Sequence, residues 1–147
     1  MQSVIPTLTV PDIDAAMKFY EDILGFTPTF TMAGPDGRTA HGSMKRGAVE
    51  LMFSLPYGDN PHDQPPYGHG VALYTTIADD EDVDALFRHA RDKGATILWE
   101  PTDQFWGHRD WGVADPNGYV TIVSRVVREV TEEEMRKGAE AMAGVAG

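Results

Sequence analysis

The sequence predicts an α+β fold made of two βαβββ modules followed by a C-terminal helix. Three observations carry that expectation. Two helix-period apolar stripes share the same punctuation, an Asp in front and a Gly behind. Short strand-like runs surround each stripe in the same order, one before and three after. A proline-rich stretch without periodicity, Pro56 to Gly68, separates the two sets.

The first strand covers Val4 to Val10. Asp12 then precedes Ile13, Ala16, Met17, Tyr20, Ile23 and Leu24, the i, i+3, i+4, i+7 spacing of an amphipathic helix, and Gly25 ends it. An Asp side chain can accept from the first free backbone N–H groups, and a Gly can turn left-handed after the last turn. Strands follow at Thr27 to Met32, Thr39 to Lys45 and Ala48 to Leu55, with turns at Gly34-Pro35-Asp36-Gly37 and Arg46-Gly47.

The second module repeats the pattern. Val71 to Ile77 is its first strand, and Asp82 opens a helix through Val83, Leu86, Phe87 and Ala90 that Gly94 closes. Ile97 to Glu100, Trp106 to Ala114 and Tyr119 to Val127 are the remaining strands, with Asp115-Pro116-Asn117-Gly118 as the sharpest turn signal. The modules occupy residues 1–56 and 69–128, and 129–147 is a helical tail. In that tail Thr131 and Glu134 have capping-box spacing, Met135, Ala139 and Met142 form a thin stripe, and Gly138 weakens the helix by about 1 kcal/mol.

Composition narrows the function classes. The chain has 147 residues, 41% hydrophobic and 24% charged, an ordinary globular balance. It has no cysteine, which excludes disulfides and thiolate metal sites. A net charge of −11 with no basic stripe repels phosphate backbones, so no nucleic acid is expected as a partner. The same charge attracts a cationic small molecule. No apolar run approaches the ~20 residues of a membrane span, and the start lacks a signal-peptide pattern. The expectation is a cytoplasmic protein with no membrane partner.

The acidic run Asp79-Asp80-Glu81-Asp82 resembles a calcium loop only superficially. Asp84 stands where such a loop needs its glycine, and Ala90 where it needs its final Glu. Negative charge at a helix start is favourable without any ion.

Leu8-Thr9-Val10-Pro11-Asp12, Phe19-Tyr20 and Leu24-Gly25-Phe26 resemble the opening of glyoxalase, bleomycin-resistance and ring-cleaving dioxygenase proteins, the vicinal oxygen chelate superfamily. Asp115-Pro116-Asn117-Gly118-Tyr119 resembles that family's closing turn. Residues 103–109, with Thr131-Glu132-Glu133-Glu134, resemble its bleomycin-resistance-like branch. The resemblance implies a mixed sheet curled around a cavity, often completed by a second subunit, so a homodimer is expected. It also implies four ligand positions for a divalent metal, which fall here on Ile5, Glu50, Gly70 (with His69 adjacent) and Ile122. One plausible donor of four remains, and a bound catalytic metal needs at least three. No metal and no cofactor are therefore expected.

Other chemistries are sparse. Neither a Gly-x-Ser-x-Gly elbow nor a phosphate-cradling loop occurs. His108 and Asp110, two apart on one strand, could form an acid–base couple, and a solvated or core-edge histidine is the plainer reading. More distinctive is the aromatic concentration, with all three tryptophans lying between Trp99 and Trp111. Flat rings of this kind stack ligands and attract cations. Tyr57, Tyr67 and Tyr74 are candidates to extend the wall.

These features define the expected site. Glu50 supplies charge, Met52 or Phe53 the floor, and Trp99, Phe105, Trp106 and Trp111 the stacking surface. Arg109 either contributes to binding or pairs structurally with Asp110 or Asp115. No catalytic residue is assigned. The expected role is metal-independent binding of a planar, often cationic compound, sequestering an antibiotic or other toxic natural product as a resistance function. The alternative is a glyoxalase-, lyase- or dioxygenase-type enzyme with an atypical site around Glu50, His69 or His108.

Elemental analysis of the purified protein is expected to find no stoichiometric Zn, Ni, Fe or Mn. Close to one metal per chain, removable with loss of a measurable activity, overturns that expectation.

Overall fold

The computed structural model describes residues 1–146, the side chains of 145 and 146 excepted. The elements run β1 (Thr7–Thr9), α1 (Ile13–Leu24), β2 (Thr27–Ala33), β3 (Thr39–Arg46), β4 (Val49–Ser54), β5 (Ala72–Thr76), α2 (Val83–Asp92), β6 (Thr96–Asp103), β7 (His108–Ala114), β8 (Val120–Val126) and α3 (Glu132–Ala146). A short 3-10 turn, Pro61–Asp63, lies between β4 and β5. The strands form two hydrogen-bonded sheets of four, ordered β1-β4-β3-β2 and β5-β8-β7-β6. In each, the first strand runs parallel to the last and the other pairings are antiparallel. Both expected βαβββ patterns are present with one topology.

The chain divides into two compact units, residues 1–71 with 115–119, and residues 72–114 with 120 onward. In the first unit, the Asp12 side chain accepts from Ala15 N–H at 3.0 Å, and Gly25 follows α1 at φ 73°. The α1 stripe Ile13, Ala16, Met17, Tyr20, Ile23 and Leu24 is buried in full, over Met44, Leu51 and Phe53. Gly42 permits this approach, since a Cβ there would collide with Met17 Sδ. The closing turn belongs to this unit. Tyr20 donates its hydroxyl to Asp115 at 2.9 Å, and Tyr119 donates to the Thr9 carbonyl at 2.8 Å. Asp115 also accepts from the N–H groups of Asn117 and Tyr119, which leaves its buried carboxylate well partnered. Tyr67 stacks on Tyr119 with centroids 6.2 Å apart.

The second unit repeats the device. Asp82 accepts from Asp84 and Ala85 N–H, and α2 buries Val83, Phe87 and Ala90. The backbone N–H bonds hold the Asp82 carboxyl below its usual range, Ala85 contributing most. The acidic run therefore does structural work at a helix start. Beneath α2 lies Trp111, 0% exposed, with its ring edge-on to Phe87 at 5.8 Å and its indole N–H on the Val83 carbonyl at 3.1 Å.

The end of β6 and the start of β7 differ from expectation, each for a physical reason. β6 extends to Asp103 through two irregularities, which carry the strand past Pro101. β7 starts at His108, so Trp106 belongs to the preceding turn. There Gln104 N–H bonds His108 O at 2.7 Å and Gly107 N–H bonds Gln104 O at 3.1 Å. Gly107, at φ 87°, admits the Arg128 carbonyl where a Cβ would stand. The tail helix α3 forms behind the expected capping box, with Glu134 N–H on Thr131 Oγ1 at 3.2 Å and Thr131 N–H on Glu134 at 2.7 Å. Its Gly138, a cost to helix propensity, seats the Phe105 ring in the space a side chain would take.

Replacing Trp111 with Ala is expected to destabilise the protein by about 3–5 kcal/mol, the range for emptying a buried aromatic site. Urea denaturation checks it, and a loss below about 1 kcal/mol would show that Trp111 is not core.

Candidate ligand-binding surface

Side chains alternate across a strand, so each sheet has a face toward its helix and a face away from it. The strand registers assign every expected site residue to one or the other. On the first sheet, Leu51 and Phe53 face α1, whereas Glu50 and Met52 face away beside Ser43 and Lys45. Phe53 is 0% exposed, its ring 5.4 Å from Tyr20, so it is core and not the floor of a site. Glu50 is half-buried and 3.5 Å from Lys45 Nζ. Phe30 and Met32 also stand exposed on this sheet, with Phe30 6.1 Å from the His41 ring.

On the second sheet, Arg109, Trp111 and Val113 face α2. Trp111 is corrected from stacking surface to core, because it lies on the helix-facing phase of β7 and points into the unit. Arg109 is likewise removed from the site. Its guanidinium binds Asp84 at 2.9 Å and Asp103 at 3.0 Å, not Asp110 or Asp115, and those bonds, Asp84 first, raise its pKa. Phe105 is half-buried against Gly138 and edge-on to Trp106 at 4.9 Å, so it supports the surface from behind α3's contact and is not itself the stacking ring.

The opposite face of this sheet concentrates the remaining chemistry. The registers place Trp99, Gly112, Ile122 and Tyr74 in one row across β6, β7, β8 and β5. The six-membered part of the Trp99 indole occupies the space above Gly112, which any side chain there would exclude. Trp99 Nε1–H donates to Asp110 Oδ1 at 3.0 Å, and the Gln104 amide donates to the same oxygen at 2.8 Å. Asp110 is 2% exposed, and two donors on one oxygen offset the cost of burying it. Asp110 therefore fixes the plane of Trp99.

His108 does not use Asp110. Its Nδ1 lies 2.9 Å from the Tyr74 hydroxyl and 3.3 Å from Ser124 Oγ. Trp106 Nε1–H donates to the Tyr74 hydroxyl at 3.1 Å, and Ser124 donates to the Thr75 carbonyl at 2.9 Å. The face thus carries two fixed indoles, an exposed tyrosine and an apolar floor at Ile122. Tyr74 was legible as an aromatic candidate. Gln104 and Ser124 were not, because nothing in their spacing signals that a turn and a neighbouring strand bring them to Asp110 and His108.

Residues 4–123 match the family described as Glyoxalase/Bleomycin resistance protein/Dioxygenase superfamily. The chain belongs to that superfamily. An uncharacterized protein of Mycobacterium bovis is 31% identical over 136 residues, covering 89% of this chain and 88% of its own. The anthracycline biosynthesis protein DauV of Streptomyces sp. strain C5 is 28% identical over 125 residues, 78% of this chain and 43% of that protein. Among solved structures, TioX from Micromonospora sp. ML1 aligns with TM-score 0.65 at 21% identity over 86% of this chain and 100% of that one. A glyoxalase/bleomycin resistance protein/dioxygenase from Nocardioides aligns with TM-score 0.64 at 17% identity, over 90% and 89%. At those identities the structural likeness is one of fold.

A superfamily-type metal does not fit these residues. Of its positions, Ile5, Gly70 and Ile122 offer no side-chain donor, and Glu50 is paired with Lys45. Ile122 stands instead as the apolar floor between Trp99 and Tyr74. Among the described residues no group of three or more His, Asp or Glu is arranged to hold an ion. No described helix is long and apolar enough to cross a membrane.

Replacing Gly112 with Ala is expected to displace the Trp99 indole and break its bond to Asp110. The cost is about 1–3 kcal/mol, the range for overpacking. Tryptophan emission should shift to the red. An unchanged spectrum and stability would mean that the indole does not lie on Gly112.

Proposed function

We propose that the protein binds a flat, apolar, often cationic small molecule on the Trp99–Tyr74 face and sequesters it without a chemical step. The observation that carries this is Trp99 itself. An indole locked flat over a glycine by a buried carboxylate is a preorganised stacking surface, and preorganisation lowers the ordering cost of binding. Ile122 in place of a metal donor turns the centre of that face apolar. The net charge of −11 supports a cationic ligand through long-range attraction. A relative named for anthracycline biosynthesis supports planar polycyclic natural products as the ligand class, and a superfamily description that includes bleomycin resistance proteins supports antibiotic resistance as the role.

An anthracycline titrated into the protein is expected to quench tryptophan fluorescence and raise the melting temperature. Ligand at 100 times its Kd adds about 2.7 kcal/mol of stability. Trp99→Ala should weaken binding by about 1–3 kcal/mol, with Trp99→Phe retaining part of it. Equal affinity in all three proteins, each folded by circular dichroism, removes Trp99 from the site.

A further inference from the structure

The hydrogen bonds around Tyr74 can be assigned donor by donor. Ser124, 0% exposed, gives its only proton to the Thr75 carbonyl at 2.9 Å. Its oxygen then has only lone pairs for His108 Nδ1 at 3.3 Å, so that contact is a hydrogen bond when Nδ1 carries the proton. In that tautomer the same Nδ1–H reaches the Tyr74 oxygen at 2.9 Å. Trp106 Nε1 is a donor only, and it too points at the Tyr74 oxygen, at 3.1 Å. With Nδ1 protonated, the phenol oxygen accepts from both neighbours. Its own proton is needed by neither.

We propose that Tyr74 presents a free O–H donor at the end of the aromatic face and selects flat ligands bearing a carbonyl oxygen, such as quinones and conjugated ketones. This rests on the stacking reading of the same face and names its ligand chemistry. Tyr74 is 46% exposed, so the hydroxyl is reachable, and it shares one row of the sheet with Trp99. Two N–H donors on the phenol oxygen polarise the O–H bond and strengthen what it donates. The hydroxyl is also held in place, since Trp106 is braced edge-on by Phe105 at 4.9 Å, and Phe105 is seated on Gly138 of α3. Trp106, Phe105 and α3 are therefore positioning elements for a donor at Tyr74.

The test is a matched pair of probes, 2-(aminomethyl)anthraquinone and 2-(aminomethyl)anthracene, which share ring size and charge and differ in the two carbonyls. The parent protein is expected to bind the quinone about 5- to 10-fold more tightly, the worth of one well-placed hydrogen bond. Tyr74→Phe should abolish that preference, the ratio of quinone to anthracene affinity falling to about one whatever change the two probes share. Tyr57→Phe, at an exposed tyrosine of the other unit, should retain it. Binding of both probes with equal affinity by the parent overturns the donor assignment and leaves stacking standing. A preference that survives in Tyr74→Phe also overturns it. Binding of neither probe removes the stacking reading and the inference together.

Discussion

A carboxylate with 2% exposure on the sheet face away from α2 is the constraint on which the second unit's surface depends. A side chain so buried needs donors for its oxygens, because a buried polar group left unpaired costs free energy. The donors come from two directions. Trp99 reaches across from the neighbouring strand, and Gln104 reaches back from the turn. Satisfying one buried side chain thereby fixes an indole, a turn and the start of β7. Gly112 completes the arrangement by leaving the indole somewhere to lie.

The same principle recurs in the first unit with different chemistry. Asp115 is also a buried carboxylate, and it draws in the Tyr20 hydroxyl and two backbone N–H groups of its own turn. That carboxylate is spent on architecture, since its donors all come from the core helix and the turn. The pair shows how one residue type serves packing in one unit and a surface in the other. What differs is whether the donor offers a flat face to the outside.

Aromatic residues divide along the same line. Trp111 and Phe53 lie on the helix-facing phase of their strands and fill the core, while Trp99 lies on the opposite phase. Trp106 escapes alternation because it sits in a turn, and Phe105 beside it is taken up by Gly138 of α3. A cluster that looks uniform along the chain thus becomes core, support and surface. Strand phase makes that partition, and phase depends on where β6 and β7 begin and where their irregularities fall.

Periodicity and punctuation were enough to read both helices to within a residue or two, the order of all eight strands, and the capping box of the tail. Those signals are local: an i, i+3, i+4 stripe, an Asp that caps, a Gly that turns. The apolar or absent side chains at three of the four metal positions were equally plain, since a missing donor is a property of the residue alone. What the chain could not disclose was which tryptophan faces outward, that Arg109 is committed to Asp84 and Asp103, or that Tyr74, His108, Trp106 and Ser124 share one hydrogen-bond system. Those facts depend on register between strands distant in sequence. A shift of one residue turns every side chain to the other face, so only the folded sheet decides them.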